Sequence, residues 1–378
     1  MIGLFAASSA VLIGTAAAAA APFASGNVVV VRSGNDTIAS ENNNAAPAYL
    51  DEYQLDGTLV QSVPLGDYSL TTAQFTLLGG NHSGGFISKS LNGSFLILPG
   101  YYAPVNTPTV AANDSQFVPR TIARIDLNGN IDTSTRITDI SANEMRSAAS
   151  YDGTAFWSNG TGNSNQLRYS TLGASTSTRI TTSANHGSRV VNVFWDSVGE
   201  AQVGFSRSNG GRSIGLVNRP TNPVPKLPID GDSAVTNLFS NVSTPNPSPY
   251  DFLFIDSSTL YITDDNNAAI GGIQKWTRSG STWTKQYSLQ TDLPSIPLRG
   301  LTGFRDGNGD VILVAVPGNG GSLVMVKDLG ETSPFTVIAT PGTNMTFHDA
   351  VYIPEPASLV LLTAAGAVLL RRRRGPRA

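Results

Sequence analysis

The chain has 378 residues, no cysteine and a formal net charge of −3, with 24 basic and 27 acidic residues. The lack of cysteine excludes disulfide bonds and thiol chemistry. The acidic balance, which increases if the five arginines of the last eight residues are removed, excludes the basic surface that a nucleic-acid-binding protein needs.

The first 21 residues are apolar and end in an alanine run. Small residues at Ala18–Ala20 suit signal peptidase, so we predict a signal peptide over residues 1–21 and export of the protein. No Lys or Arg precedes the apolar stretch, which departs from the usual signal, and a plain N-terminal membrane helix remains the alternative.

Residues 27–353 show no sustained helical period. Short runs of β-branched and aromatic residues alternate with Gly, Asn, Asp and Pro, as in antiparallel β-structure. Dipeptides that favour tight turns recur along this body, and each predicts a hairpin: Asp56-Gly57, Asn92-Gly93, Asn128-Gly129, Asp152-Gly153 and Asp306-Gly307.

These strands form a weak repeat. A strand–turn–strand piece such as 124–131 follows a pair of apolar strands such as 85–98, and the combination returns at spacings of roughly 45 to 70 residues, as blades of a β-propeller do. We therefore predict an all-β propeller of about six four-stranded blades, or seven if residues 216–249 contain another. A pair of β-sandwiches or a β-solenoid is the alternative.

The two ends of the body are out of register with the repeat. Residues 348–353 have the pattern of the first strand of a unit whose later strands are 28–31 and 53–60. One blade shared by the two ends would close the ring and remove exposed sheet edges. The proline-rich stretches 103–119 and 217–249 are predicted to be insertions within blades.

A polar residue stands two to four positions before the first strand of each unit. If innermost strands begin at one face, these side chains ring one mouth of the central channel, where a small anionic or saccharide ligand would bind. The alternative is that they only seal the channel by hydrogen bonding. A three-histidine metal site is a weaker hypothesis, and no cofactor is predicted. The candidates are His82, Arg146, His186, Asp251, Arg299 and His348.

Asp306, Asn308 and Asp310 have the spacing of calcium ligands at positions 1, 3 and 5 of a loop. Glycine is missing at position 6, and Pro317 stands where a bidentate glutamate is needed, so a hairpin turn is the preferred interpretation.

No catalytic signature is present, and the six glutamates are not paired with other acids in a way that suggests acid/base catalysis. The four tryptophans are predicted to pack in the core: Trp157, Trp195, Trp276 and Trp283.

The chain ends in three unlike features. Pro354-Glu355-Pro356 is a rigid elbow, residues 357–370 are apolar, and Arg371, Arg372, Arg373 and Arg374 follow. As a helix the apolar run would be roughly 21 Å long, against a bilayer core of ~30 Å, so it is marginal as a permanent membrane span. The arginines favour a cytoplasmic location for this end.

This tail resembles the bacterial PEP-CTERM sorting signal, the substrate of exosortases, which is also catalogued as an ice-binding-protein C-terminal domain. The resemblance covers about 25 residues. It implies that Pro354, Glu355 and Pro356 are the recognition element, that residues 354–374 form a sorting segment with an apolar helix, and that processing leaves the body at the cell surface or in an extracellular matrix. An ordinary C-terminal membrane anchor is the alternative.

The preferred hypothesis is an exported, non-enzymatic propeller that serves as a binding or structural scaffold at the cell surface or in the matrix. A secreted hydrolase or lyase that acts on polysaccharide at the channel mouth is the alternative, and a purely structural envelope component is a third. The expected partners are an exosortase-type enzyme, signal peptidase, the membrane in transit and extracellular polysaccharide, with no nucleic acid.

Overall fold

The computed structural model describes residues 20–40, 42–80, 82–140, 143–162, 166–181, 188–208, 211–219, 227–229, 231, 234–239, 247–266, 271–290 and 296–355. The predicted signal helix before residue 20, His186, Pro356, the apolar helix and the terminal arginines lie outside these ranges. The described part is all-β apart from one 3₁₀ turn, Val110–Ala112. It contains no helix long and apolar enough to cross a bilayer.

The described strands are numbered here in chain order. They are β1 Val28–Ser33, β2 Ala45–Tyr53, β3 Leu59–Pro64, β4 Gln74–Leu78, β5 Ser88–Lys89, β6 Phe95–Ala103, β7 Arg120–Asp126, β8 Ile131–Ile137, β9 Met145–Ser150, β10 Ala155–Gly160, β11 Arg168–Thr171, β12 Thr178–Arg179, β13 Ser188–Trp195, β14 Ala201–Arg207, β15 Ile214–Val217, β16 Val235–Asn237, β17 Pro249–Asp256, β18 Thr259–Asp264, β19 Gly272–Ser279, β20 Thr282–Leu289, β21 Leu298–Arg305, β22 Val311–Pro317, β23 Leu323–Asp328, β24 Phe335–Ala339 and β25 Thr346–Tyr352.

Four sheets have the form of propeller blades. Each contains four consecutive antiparallel strands, β9–β12, β13–β16, β17–β20 and β21–β24. The first strands of neighbouring sheets contact one another, β9 with β13, β13 with β17, and β17 with β21. This succession of sheets around a common centre confirms a β-propeller arrangement, and the sandwich and solenoid alternatives are wrong.

The prediction of six or seven separate four-stranded blades does not match the strand pairing. The remaining strands form one nine-stranded sheet, in the order β25-β1-β2-β4-β6-β7-β8, with β3 on β2 and β5 on β6. Both β2 and β6 are nine residues long, and β4 pairs with a part of each, which joins the two halves. The described part of residues 216–249 supplies the end of β15, strand β16 and the start of β17.

The two ends of the body meet as the sequence predicts. Strand β25 pairs with β1 in antiparallel register, with Val28 opposite Tyr352 and Val30 opposite Ala350. Asp349 of β25 also accepts a hydrogen bond from the backbone N–H of Ile87, beside β5. The C-terminal strand therefore lies between the first strand of the body and the next innermost strand.

The predicted turns join neighbouring strands. Gly57, Gly93, Gly129 and Gly153 all have positive φ, the conformation that glycine adopts without strain. The fifth predicted turn, Asp306-Gly307, does lie between β21 and β22. The residue with positive φ in that turn is Gly309 and not Gly307.

The inner strands of the blades are buried on both faces, which explains sequences such as the four valines of β1. Val29 and Val31 pack in one apolar cluster, whereas Val28 and Val30 pack in another. Successive side chains of a strand point to opposite faces, so a strand covered on both sides contains apolar residues without alternation.

Candidate ligand-binding mouth of the central channel

The innermost strands run in the same direction and are joined by side chains that accept backbone N–H groups of the next strand. Ser147 Oγ accepts the N–H of Val191 at 2.9 Å, and Asp251 Oδ2 accepts that of Leu301 at 3.0 Å. A parallel bridge between Phe86 and Ser147 agrees with this direction. The repeated bond aligns the strands and puts Ser147, Asp251 and the equivalent Asp349 at one level of the channel.

One residue earlier on three of these strands, charged and aromatic side chains gather at the channel mouth. The ring of Tyr250 lies between two guanidinium groups, 4.5 Å from that of Arg189 and 4.9 Å from that of Arg299. Tyr250 is 2% exposed, and its hydroxyl donates to the Ser83 carbonyl at 3.0 Å. Burial raises the pKa of Tyr250, so the ring is a neutral platform for both cations.

Two carboxylates neutralise part of this charge. Asp265 binds both Arg189 Nη2 at 3.1 Å and Arg299 Nε at 2.8 Å. Glu144 accepts Arg146 Nε at 3.3 Å, and no further bond from the Arg146 guanidinium is present within the described ranges. Among the described residues, three guanidinium groups against two carboxylates leave the mouth with an excess positive charge, and none of these residues occupies the Nη atoms of Arg146, which can therefore bind an anion.

Two of the three histidines lie side by side near this mouth. His348 is 3% exposed, and its ring nitrogens lie 2.6 Å from Ser33 Oγ and 2.9 Å from the Gly84 carbonyl oxygen. The His82 ring centroid lies 6.3 Å away, and burial, followed by the charge of Arg299, lowers the pKa of His82. His186 falls outside the described residues, and no group of three metal-binding side chains occurs among those that are described.

Asp251 and Asp349 form a buried acidic pair at the next level of the channel. They are 3% and 0% exposed, and both accept backbone N–H groups of neighbouring strands. Burial raises the pKa of Asp251 to about 8. Burial, reinforced by the charge of Asp251, also raises the pKa of Asp349. These carboxyl groups join strands and do not face open solvent.

Four of the six predicted side chains lie together at this end of the strands. They are His82, Arg146, Arg299 and His348, whereas Asp251 is a strand-joining residue. The prediction missed four residues of the mouth. Two of them, Arg189 and Tyr250, stand one residue before the position equivalent to Ser147 on their own strands, so an alignment of the first strands at that position identifies these two. The missed residues are Glu144, Arg189, Tyr250 and Asp265.

The calcium candidate lies in the β21–β22 turn. Asp306 Oδ1 accepts the N–H groups of Asn308 and Asp310, both at 2.9 Å. Lys327 Nζ lies 3.1 Å from Asp306 Oδ2 and 2.7 Å from Asp310 Oδ2, where a calcium ion would have to sit. The arrangement is that of a hairpin turn held by an ammonium group.

Three of the tryptophans are core residues, as predicted. Trp157, Trp276 and Trp283 are at most 8% exposed, but Trp195 is 50% exposed at the end of β13.

The described part of the sorting motif is accessible, since Pro354 and Glu355 are exposed directly after the buried Ile353.

No family model and no curated protein matches this sequence. Solved structures with similar folds include a candidate 6-phosphogluconolactonase from Bacteroides uniformis (10% identity, TM-score 0.46, 83% of each chain covered). Another is a protein of unknown function from Bacteroides caccae (10% identity, TM-score 0.48, 87% of this chain and 99% of that one). A third is a quinoprotein alcohol dehydrogenase-like protein from Bacteroides thetaiotaomicron (13% identity, TM-score 0.38, 85% and 68%). At these values the neighbours assign neither an activity nor a ligand to this chain.

Proposed function

We propose that this protein is an exported propeller that acts as a binding scaffold at the cell surface or in the extracellular matrix, and that it holds an acidic saccharide at the channel mouth. The observation that carries the proposal is the excess of guanidinium groups around Tyr250. Asp265 and Glu144 account for two of the three charges, and the Arg146 Nη atoms remain free among the described residues.

The geometry favours binding over hydrolysis. A glycoside hydrolase of the usual type needs two carboxyl groups that face the substrate. Asp251 and Asp349 are buried and accept backbone N–H groups, and Glu144 and Asp265 are engaged by arginines. A bound anion would complete the charge balance of the mouth without any chemical step.

The tail supports a sorting role. Strand β25 ends at Tyr352, and exposure begins at Pro354, so a processing enzyme could reach the elbow without opening the sheet. We propose that residues 354–374 are a PEP-CTERM segment recognised by an exosortase-type enzyme, that signal peptidase removes residues 1–21, and that the apolar helix crosses the membrane only in transit.

The blade count belongs to the same proposal. If the nine-stranded sheet is divided at β4, β25-β1-β2-β3 and β5-β6-β7-β8 each have the strand order of one blade. Together with the four separate sheets this gives six blades. The support is that β5 and β25 occupy the same level as the first strands of the other sheets.

A glycan array probed with the full-length protein, followed by product analysis, tests the binding role. We expect binding to acidic glycans, such as uronate-containing or sulfated chains, and no shortened products after long incubation. Release of oligosaccharides would contradict the scaffold role. Binding confined to neutral glycans would contradict the electrostatic argument.

Fractionation of producing cells tests the sorting role. Replacing Pro354, Glu355 and Pro356 by alanine should leave the body folded but retain it in the membrane fraction, because the elbow is remote from the core. Unchanged delivery of this variant to the surface or medium would contradict processing through the motif.

A further inference from the structure

The end of the channel opposite the arginine mouth contains a separate cavity of about 380 Å³. It is lined by the later halves of the innermost strands, including Asn192–Trp195 of β13 and Phe252–Asp256 of β17. The mouth residues Arg189 and Tyr250 stand at the beginnings of the same strands, so the two sites lie at opposite ends. The volume is at the lower end of the ~300–1,000 Å³ range of small-molecule pockets.

Lys89 differs from the other charged side chains that line this cavity, because those are paired with a group of opposite charge. Three charged residues line it, and two of them are neutralised, Asp196 by an ion pair with Arg219 and Asp256 by Arg305 at 2.5 Å. Lys89 has neither an ion pair nor a side-chain hydrogen bond within the described part of the chain. Burial lowers the pKa of Lys89 to about 8, which reflects an ammonium group that has lost water and gained no partner.

Aromatic rings form much of the remaining wall. Phe194 and Phe254 are stacked with their centroids 4.2 Å apart and are partly exposed to the cavity. Tyr352 is stacked on Phe304 with centroids 3.9 Å apart, and Trp195 at the rim is half exposed. Flat apolar faces beside one cation suit a ligand with a ring and a negative group.

We propose that this cavity is a second binding site, in which Lys89 pairs with the carboxylate of a small ring-bearing acid whose ring packs against the Phe194–Phe254 wall. Two ligand sources share this chemistry, a sugar acid such as a uronate and an aromatic carboxylic acid. In both cases the carboxylate supplies the partner that the protein itself does not provide for Lys89, and the ring displaces water from the aromatic wall.

Titration calorimetry on the full-length protein, with digalacturonate, benzoate and neutral galactose as separate probes, tests this site. We expect at least one of the two acids to bind at pH 7 and galactose not to bind. Tighter binding of digalacturonate that persists in Arg146→Met would identify a sugar-acid site in this cavity, and tighter binding of benzoate an aromatic-acid site. Failure of both acids to bind would overturn the proposal.

Variants separate the role of the charge from folding. Lys89→Met should weaken acid binding about tenfold or more, as expected when a charge-assisted hydrogen bond of about 1.5–3 kcal/mol is lost. The exposed Lys285→Met should have no effect. Thermal melting of Lys89→Met should be no lower than that of the wild type, because the substitution removes a poorly solvated charge and keeps the apolar stem.

The pH dependence of acid binding distinguishes a charge interaction of Lys89 with the ligand from a purely structural role of this residue. Wild-type binding should weaken above pH 8 as the Lys89 ammonium loses its proton, whereas Lys89→Arg should bind equally at pH 7 and 9.5 because a guanidinium stays charged. Arg146→Met, at the other mouth, should leave the Lys89-dependent part of this binding intact. Equal binding by Lys89→Met and wild type, or loss of the Lys89-dependent binding in Arg146→Met, would overturn the assignment to this cavity.

Discussion

At the scale of single residues, the channel contains ionisable groups whose pKa values are shifted in opposite directions. Burial raises the pKa of Asp251 to about 8, and burial lowers the pKa of His348 to about 4. Below pH 6.5 the unfolded chain binds a proton at this histidine that the native protein does not, so His348 makes the protein less stable as pH falls towards 4. The Asp251–Asp349 pair has the opposite effect, because its raised pKa values make the protein less stable as pH rises.

We predict that Asp349→Asn stabilises the protein at neutral and alkaline pH. The native acidic pair keeps a proton that the unfolded chain releases between about pH 4 and 8, so its contribution to stability falls as pH rises. An asparagine carbonyl can still accept the Ile87 N–H, without a charge to bury. The variant should gain about 1 kcal/mol or more at pH 8, since one pKa unit corresponds to about 1.4 kcal/mol.

Urea denaturation of both proteins at several pH values measures this difference, and the comparison cancels the contribution of His348. The exposed Asp67→Asn is the matched control. A gain that is equal at pH 4 and pH 8, or a loss at pH 8, would show that Asp349 is ionised in the native protein.

At the scale of elements, closure depends on β25. This strand lies beside β1 and contacts β21 and β22, so it joins the two ends of the chain and the adjacent sheet. Phe347 is fully buried within it, 6.1 Å from the Tyr53 ring in an edge-to-face contact. Its apolar cluster includes residues of β1, β22 and β23.

We predict that Phe347→Ala lowers the free energy of unfolding by about 3–5 kcal/mol, the usual cost of deleting a buried phenylalanine. Phe117→Ala, at a side chain that is 84% exposed, should change it by less than about 0.5 kcal/mol. Chemical denaturation of the two variants checks this. Similar midpoints for both would mean that β25 contributes little to the closed ring.

The elements were predictable where local chemistry decides them. Asp56-Gly57 and Asn128-Gly129 form turns because glycine takes the positive φ there, and the pairing of 348–353 with 28–31 follows from a blade that lacks its first strand. The fusion through β4 was not predictable, because it depends on how far β2 and β6 extend beyond their neighbours. The sequence pointed to some residues of the mouth and missed Arg189, because Arg189 meets Arg299 through Asp265 and the Tyr250 ring, which lie on separate strands or loops.

At the scale of the whole molecule, the channel has two chemically different ends with a pair of buried acids between them. One end has an excess of arginine around Tyr250, and the other has a cavity with Lys89 and stacked aromatic rings. Between them, Asp251 and Asp349 join the strands. Such a molecule is suited to holding ligands at its two faces, in keeping with the proposed role as an exported scaffold.

The most direct test is a calorimetric titration of the full-length protein with an acidic oligosaccharide in a Lys89→Met background, which weakens acid binding at the second cavity, with and without Arg146→Met. We predict that Arg146→Met weakens binding about tenfold or more, because it removes charge-assisted hydrogen bonds, and that Arg278→Met, at the opposite end of the molecule, does not. Equal affinity with and without Arg146→Met would contradict the central claim.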